Sequence, residues 1–322
     1  VAKHGHVILD KGYGMANYEL HVPTSPQHLF KIASLTKQFT AACIMQLQER
    51  GLLSIKDPIG KYLPNFPFDK KNVITIYDLL THSSGLNNRK NIRFFVDRIT
   101  QEVKKNEFIN SFQNTPLLFQ PGTLHNYSNQ NYILLGFIIE QVSGMPYKTY
   151  LKTYILDQLG MNSTRINNYT TIIPNRVPGY RQNIQNVLQN AILPQPECSY
   201  AQGGLLSTTH DLYIWNNALL NHPFLTQNSI RQMFIPRIYN TNPNAKSGYG
   251  LGFAINYIAV KDSTGTIKNI RRIWHNGKTT GFRSIIARYI DNNACIIILS
   301  NNESLPIIRM EQKLAAILFS YE

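Results

Sequence analysis

Two residues near the start of the chain, Ser34 and Lys37, have the types and spacing of a nucleophile and the group that activates it. They stand three positions apart at the start of an apolar, helix-like stretch, so both side chains leave one face of the helix. A serine hydroxyl must lose its proton as it attacks, and a lysine can accept that proton only where its surroundings favour the neutral amine. The helix start adds N–H groups suited to negative charge on an attacked carbonyl. Alone, the pair also fits an ordinary helix start with a solvated lysine.

A second string, Tyr127-Ser128-Asn129, supplies groups that move and hold protons. Residues two apart in an extended segment point the same way, so Tyr127 and Asn129 share one side. A phenol beside a serine and a lysine can relay a proton to a leaving group, and an amide can hold both the lysine and a substrate amide. Alone, the string also fits a turn before the next helix.

The third string, His275-Asn276-Gly277, ends a β-type run near the C-terminus. Gly277 would let a ligand approach the strand closely, and the N–H of Lys278 could join that of Ser34 as the second donor to an oxyanion. A lone histidine here would more often be structural. The co-occurrence of three strings in this order favours a shared catalytic role.

The elements that must position these strings are two apolar helices and a set of C-terminal strands. Residues 34–47 are apolar on most sides, which predicts a helix buried at the centre of the molecule, and residues 132–142 predict a second apolar helix. Short β-type runs and a final helix-like stretch follow from residue 248. These segments are residues 249–259, 267–274, 282–290, 294–300 and 307–319.

Strands at both ends with helices between them predict an α/β (α+β) fold, in which one antiparallel sheet is built from both chain ends and flanked by helices. We expect a sheet domain of residues 1–50 and 215–322 and a mostly helical insertion domain of residues 51–214. Residues 1–9 look like the end of one strand, a turn at His4-Gly5 and the start of another. We therefore expect an N-terminal helix and part of the first strand to be missing from this sequence.

The composition is that of a globular protein, with 43% hydrophobic and only 16% charged residues, which excludes a disordered chain. No apolar run is long enough to span a bilayer. The net charge of +14 is clustered at residues 89–98, 104–105 and 268–272 and favours electrostatic attraction to anionic surfaces. Because no nucleic-acid recognition motif accompanies the charge, we expect no specific nucleic-acid partner and favour a solvated basic surface.

The three cysteines show no metal-binding spacing and are expected in the core, although a single disulfide stays open. They are Cys43, Cys198 and Cys295.

The sequence resembles the serine β-lactamase and penicillin-binding protein superfamily. It is most similar to the class C-like branch of DD-peptidases, D-aminopeptidases and esterases, in which Tyr-x-Asn is the second motif. Further segments similar to that branch follow in the right order and extend the resemblance over nearly the whole chain. They are residues 79–86, 119–122, 159–161, 203–208 and 248–252.

The resemblance implies a β-lactamase/transpeptidase-like fold and a role for each matching residue. Ser34 would be the nucleophile that accepts the acyl group, Lys37 its base or electrostatic partner, and Tyr127 the proton shuttle. Residues 81–86, including His82, would be structural, and no metal or organic cofactor is implied. The implied substrate-binding residues are Asn129, His275, Asn276, Gly277 and Lys278.

Two departures from the family pattern bear on the substrate. His275 stands where many β-lactamases have lysine, so a permanent cation that would attract a substrate carboxylate is absent, which favours peptidase or esterase activity over efficient antibiotic hydrolysis. Lys278 stands where the branch often has a small residue, and it could restore a cation nearby or narrow the cleft. No deacylating glutamate of the class A type is evident, which leaves water activation to Tyr127 and Lys37.

The leading hypothesis is a serine hydrolase that acts through an acyl-serine intermediate on amide or ester bonds of β-lactam-like, D-amino-acid peptide or ester substrates. A carboxylesterase with little peptidase activity and a non-catalytic binder of cell-wall peptide or a protein partner are the alternatives. The habits of the family lead us to expect a periplasmic or secreted protein, although no leader opens this sequence.

Overall fold

The computed structural model describes residues 1–87, 104–191, 200–221, 224–237 and 247–320. The predicted basic cluster at residues 89–98 and Cys198 lie outside these residues. The strands are β1 (Ala2–Lys3), β2 (His6–Val7), β3 (Met15–Asn17), β4 (Val22–Pro23), β5 (Phe30–Lys31), β6 (Arg165–Ile166), β7 (Tyr180–Gln182), β8 (Leu188–Asn190), β9 (Leu205–Ser207), β10 (Gly248–Tyr249), β11 (Ala254–Lys261), β12 (Ile267–Thr279), β13 (Phe282–Tyr289) and β14 (Ala294–Ser300). The α-helices are α1 (Thr36–Glu49), α2 (Phe68–Lys71), α3 (Ile76–Leu80), α4 (Lys105–Asn110), α5 (Asn129–Ser143), α6 (Tyr147–Leu151), α7 (Asp157–Leu159), α8 (Thr209–Asn221), α9 (Gln227–Met233) and α10 (Ile307–Phe319). Among the described helices, none has the length and apolar character to cross a membrane.

Seven of the described strands form one antiparallel sheet in the order β10-β11-β12-β13-β14-β1-β2. The N-terminal hairpin turns at His4 and Gly5, which both have positive φ, and β1 pairs with β14. The predicted sheet built from both chain ends is therefore confirmed. Strand β12 continues to Thr279 instead of ending at residue 274. The string that begins at His275 thus lies inside a strand and not after it.

Helix α1 lies at the centre of the molecule, as its apolar sequence predicts. Its side chains are buried from Thr36 through Met45, and it packs against α5 and α6. The thiol of Cys43 in this helix is free and buried, as is that of Cys295 in β14. Both thiols are core groups, as predicted.

The C-terminal helix α10 covers the other face of the sheet. Neighbouring residues on a strand point to opposite faces, and Ile286 belongs to the core around α1 while Tyr289 packs with α10. A buried ion pair fixes this helix, since Arg272 Nη1 on β12 lies 2.6 Å from Glu311 Oε2. The hydroxyl of Tyr289 donates to the same carboxylate, so the buried acidic group is satisfied by two donors.

A smaller three-stranded sheet, ordered β5-β9-β6, supports the start of α1. Strand β5 precedes α1, whereas β6 and β9 come from the region predicted to be the helical insertion. Residues assigned by sequence to both units therefore pair directly. The division into residues 1–50 with 215–322 and residues 51–214 stays a prediction.

The packing of α1 predicts a large cost for truncating Phe39, which is fully buried and stacks on Trp215 with ring centroids 4.3 Å apart. Phe39→Ala removes this contact and leaves a cavity, so we expect the free energy of unfolding in urea to fall by about 3–5 kcal/mol. Ile172→Ala, at a side chain that is 92% exposed, is the matched control and should stay within about 0.5 kcal/mol of wild type. Equal effects of the two changes would contradict the central placement of α1.

Candidate active site

Ser34 lies in a 3₁₀ turn, Ala33–Leu35, that leads directly into α1. Ala33 has a φ of 46°, a left-handed backbone conformation that is unfavourable for a residue with a side chain. The turn is held in place because the carbonyl of Ile32 accepts a hydrogen bond from Ser284 Oγ on β13 at 2.7 Å. Ser34 itself is only half-buried, so its hydroxyl is anchored on rigid elements and still accessible.

Gly277 allows this turn to lie directly against β12. A β-carbon at Gly277 would stand 2.2 Å from the carbonyl oxygen of Ile32 and 2.2 Å from Ser284 Oγ. The sequence-based explanation, that the missing side chain admits a ligand, is therefore wrong at this position. The space is filled by the segment that carries Ser34, and the glycine is required by the approach of two pieces of the chain.

The amine of Lys37 is fully buried and makes three hydrogen bonds. It lies 3.0 Å from Ser34 Oγ, 2.8 Å from Asn129 Oδ1 and 2.7 Å from the backbone carbonyl of Gln202. The amide and carbonyl oxygens can only accept, so they take two N–H groups of the amine. The position that faces Ser34 then holds an N–H in the ammonium form and the lone pair in the neutral amine. A neutral Lys37 is thus oriented to receive the serine proton.

The hydroxyl of Tyr127 donates to Ser34 Oγ at 2.9 Å. The face of the same ring lies 4.9 Å from Lys37 Nζ, which is a cation–π distance. Tyr127 is 36% exposed, so its hydroxyl stands between the buried amine and the solvent. The structure therefore brings Ser34, Lys37 and Tyr127 into mutual contact.

Asn129 and Tyr127 face the same site, as their spacing predicts. Asn129 is the first residue of α5, and its amide oxygen reaches Lys37. Ser128 between them is buried, and its backbone N–H donates to His82 Nδ1 at 3.1 Å.

His82 packs against the segment that carries Tyr127 and Ser128. Its fully buried ring lies 4.3 Å from the ring of Tyr127, and its carbonyl accepts from the N–H of Asn126. Burial, and then the positive charge of Lys37, hold the pKa of His82 well below its ordinary value, so the ring is neutral. The residue holds the loop in position, which agrees with the structural role that the resemblance implies.

His275 is a buried neutral imidazole in the neighbouring strand. Its Nδ1 lies 2.7 Å from the carbonyl of Asn276, which can only accept, so Nδ1 carries the proton and Nε2 accepts from the hydroxyl of Tyr249 at 3.0 Å. Burial first, and the charge of Lys37 second, lower the pKa of His275 to about 3. The ring therefore supplies no cation to a substrate at neutral pH.

The remaining predicted residues lie on the other side of β12. Strand alternation points Asn276 and Lys278 away from the face that His275 occupies. Asn276 is half-buried and pairs in register with Ile285, whereas Lys278 is exposed. The Lys278 side chain thus begins on the face opposite to His275, while its backbone N–H belongs to the strand that borders the Ser34 turn.

Two residues of the site were not predicted. The carbonyl of Gln202 anchors Lys37, and the hydroxyl of Tyr249 donates to Nε2 of His275. Both lie in or beside segments whose motifs resemble the family, residues 203–208 and 248–252. The motifs were the available signal, but nothing in them indicates which atom would face the site.

The basic clusters that the structure describes are engaged within the chain. Lys104 lies 3.5 Å from Glu107, and Lys268 lies 3.5 Å from Asp262. Arg272 is buried in its ion pair and is not part of the surface. Within the described ranges, no group of three His, Cys, Asp or Glu side chains is arranged to hold a metal ion.

Comparison with known proteins identifies the family of the chain. The family model described as Beta-lactamase matches residues 1–316. Penicillin-binding protein 4* of Bacillus subtilis (strain 168) is 31% identical over 319 residues, which cover 94% of this chain and 67% of that protein.

Solved structures show the same fold. The octameric penicillin-binding protein homologue from Pyrococcus abyssi superposes with a TM-score of 0.81 at 28% identity and covers 98% of this chain and 71% of its own. D-amino acid amidase from Ochrobactrum anthropi SV3 has a TM-score of 0.73 at 22% identity, covers 95% of this chain and 89% of its own, and is evidence for the fold alone. The chain belongs to the β-lactamase family, the superfamily of serine β-lactamases and penicillin-binding proteins.

Proposed function

We propose that the chain is a serine hydrolase that forms and hydrolyses an acyl ester on Ser34. The observation that carries the proposal is the double contact of Ser34 Oγ, with Lys37 Nζ at 3.0 Å and Tyr127 Oη at 2.9 Å. A serine nucleophile needs an adjacent base and a route for its proton. An amine and a phenol on one hydroxyl supply both.

Acylation would begin when Ser34 Oγ bonds to the substrate carbonyl carbon and gives its proton to the neutral Lys37, or to Tyr127 where that phenol has already lost its own proton. The negative charge that forms on the carbonyl oxygen would be stabilised by the N–H groups of Ser34 and Lys278, since Gly277 brings β12 against the serine turn. Collapse would break the bond to the leaving nitrogen or oxygen. Tyr127, at the solvent side, would donate the proton that the leaving group needs.

Deacylation would use the same groups in reverse. A water molecule would give one proton to Tyr127 or Lys37 as its oxygen bonds to the acyl carbon, and the proton would return to Ser34 Oγ as the ester breaks. Asn129 would hold Lys37 throughout.

For the substrate, we propose an amide or ester that does not depend on a carboxylate-binding cation. The neutral His275 supports this choice, and the class C-like branch with its Tyr-x-Asn motif is our proposed position within the family. D-amino-acid peptides and simple esters are preferred over β-lactams as turnover substrates.

A carboxylesterase with little peptidase activity is the second candidate, because the same contacts serve an ester. Hydrolysis rates on short-chain nitrophenyl esters, nitrocefin and D-Ala-D-Ala peptides, compared with one another, distinguish an enzyme that acts on peptides from an esterase with little peptidase activity. A non-catalytic peptide or protein binder is disfavoured by the complete set of contacts around Ser34. We also propose a periplasmic or secreted location, on the habits of the family.

The acyl-enzyme proposal predicts a covalent adduct on Ser34. With a fluorophosphonate or a fluorescent penicillin, we expect intact mass spectrometry to show one added probe on the wild type. Ser34→Ala should show none, and Ser304→Ala, at an exposed serine far along the chain, should behave like wild type. Labelling of Ser34→Ala at the wild-type rate would refute the role of Ser34.

The role of Tyr127 predicts a kinetic defect without a folding defect. Tyr127→Phe keeps the ring beside His82 and Lys37 but removes the hydroxyl, so we expect acylation by a nitrophenyl ester to slow by about a hundredfold or more. Tyr257→Phe, on the exposed side of β11, is the control and should keep the wild-type rate. A Tyr127→Phe rate within a few-fold of wild type would assign the proton transfer to Lys37 alone.

The lowered pKa of His275 predicts acid sensitivity of the fold. Between the ordinary value of 6.5 and about 3, the unfolded chain binds a proton that the folded chain does not. The free energy of unfolding therefore falls as the pH decreases through this range. We expect the urea midpoint to fall more steeply from about pH 6.5 to about pH 4 for wild type than for His275→Gln. Parallel curves would mean that folding does not lower the pKa of His275.

A further inference from the structure

Arg288 on β13 is a buried cation with no counter-charge among the described residues. Its side chain is 1% exposed, and Nε, Nη1 and Nη2 all lack a hydrogen-bond partner. The ring of Phe253 lies beside it, with its centroid 5.4 Å from the guanidinium carbon. A cation–π contact at this distance satisfies none of the five N–H groups of the guanidinium.

Arg272, one strand away, shows how this chain otherwise buries an arginine. Its guanidinium lies 2.6 Å from Glu311 and also donates to Asn256 at 3.1 Å. Arg288 points to the opposite face of the sheet, because it has the parity of Ile286 and not that of Tyr289. The Glu311 carboxylate is therefore on the wrong face to neutralise it.

The free-energy cost of burying an unpaired charge indicates that Arg288 has a partner. Removing an unpaired charge from water is strongly unfavourable, and buried charges in proteins are normally paired. Burial lowers the pKa of Arg288 to about 10, so the group stays charged at neutral pH. An anion bound beside the guanidinium would offset the cost of burying this charge.

Arg288 is one of the residues that line a small pocket. It lies between the β13–β14 pair, α8 and the N-terminal hairpin, and its lining includes Tyr213, Asn216 and Cys295. None of the described residues that line it is Asp or Glu. Burial raises the pKa of the Cys295 thiol to about 11, so the thiol is neutral and cannot serve as the counter-ion.

We propose that this pocket binds a single halide-sized anion, chloride in ordinary media, on the guanidinium of Arg288. The free space is about 10 Å³, which is room for one water-sized particle. A monatomic anion is the smallest ligand that would neutralise the guanidinium there. The site is far along β13 from Ser284, which holds the serine turn, so the anion stabilises the junction of sheet and α8 and takes no part in the reaction.

Anion binding to the folded chain alone predicts a halide-dependent stability. In sodium bromide or chloride, we expect the melting temperature to exceed that in sodium gluconate of equal ionic strength by about 2 °C or more. Arg288→Met, which keeps the length and removes the charge, should abolish the difference. Arg283→Gln is the control, because Arg283 lies on the same strand but already donates to the carbonyl of Glu303, and its halide effect should equal that of wild type.

A second measurement does not depend on any variant folding. Crystals grown in bromide should show an anomalous peak within hydrogen-bond distance of the Arg288 guanidinium. A water molecule at that place with no anomalous signal would overturn the proposal, as would a halide effect on melting that Arg288→Met and Arg283→Gln share.

Discussion

The burial of one amine, that of Lys37, is the constraint on which the site depends. An amine in a protein interior is stable only where its hydrogens find acceptors, and here the acceptors come from α5 and from the turn before β9. Helix α1, which carries Lys37, must therefore lie between these two elements. With two directions of the amine taken up by these acceptors, the third direction points to the hydroxyl of Ser34, one helical turn earlier. The packing of α1 therefore sets the positions of the nucleophile and of its base together.

The same amine sets the charge of its neighbours. The pKa values of His82 and His275 are lowered first by burial and second by the nearby Lys37. Both imidazoles are neutral and have one ring nitrogen committed to a fixed hydrogen bond. With both imidazoles neutral, any positive charge of these three groups rests on Lys37. A second cation in the place of His275 would compete with that arrangement unless a substrate carboxylate neutralised it.

Much of this could be predicted from the sequence, because short strings with strict spacing report on local geometry. The buried helix, the paired orientation of Tyr127 and Asn129, and the sheet shared by both ends followed from apolar pattern and spacing. The carbonyl of Gln202 could not be predicted, since a backbone atom has no side-chain signature. The reason for Gly277 was also inaccessible, because it depends on how closely Ile32 approaches. An arginine in a β-type run is ordinarily expected at the surface. Arg288 is buried because both faces of the sheet are covered, which the sequence does not show.

The most direct test of the central claim is the acylation rate of Lys37→Ala with a small fluorophosphonate, measured with and without methylamine. If the amine is the base for Ser34, the variant should acylate at least about a hundredfold more slowly than wild type, and methylamine should restore part of the rate in a saturable way by entering the vacated space. Modification of Ser34 in Lys37→Ala at the wild-type rate without added amine would contradict the account.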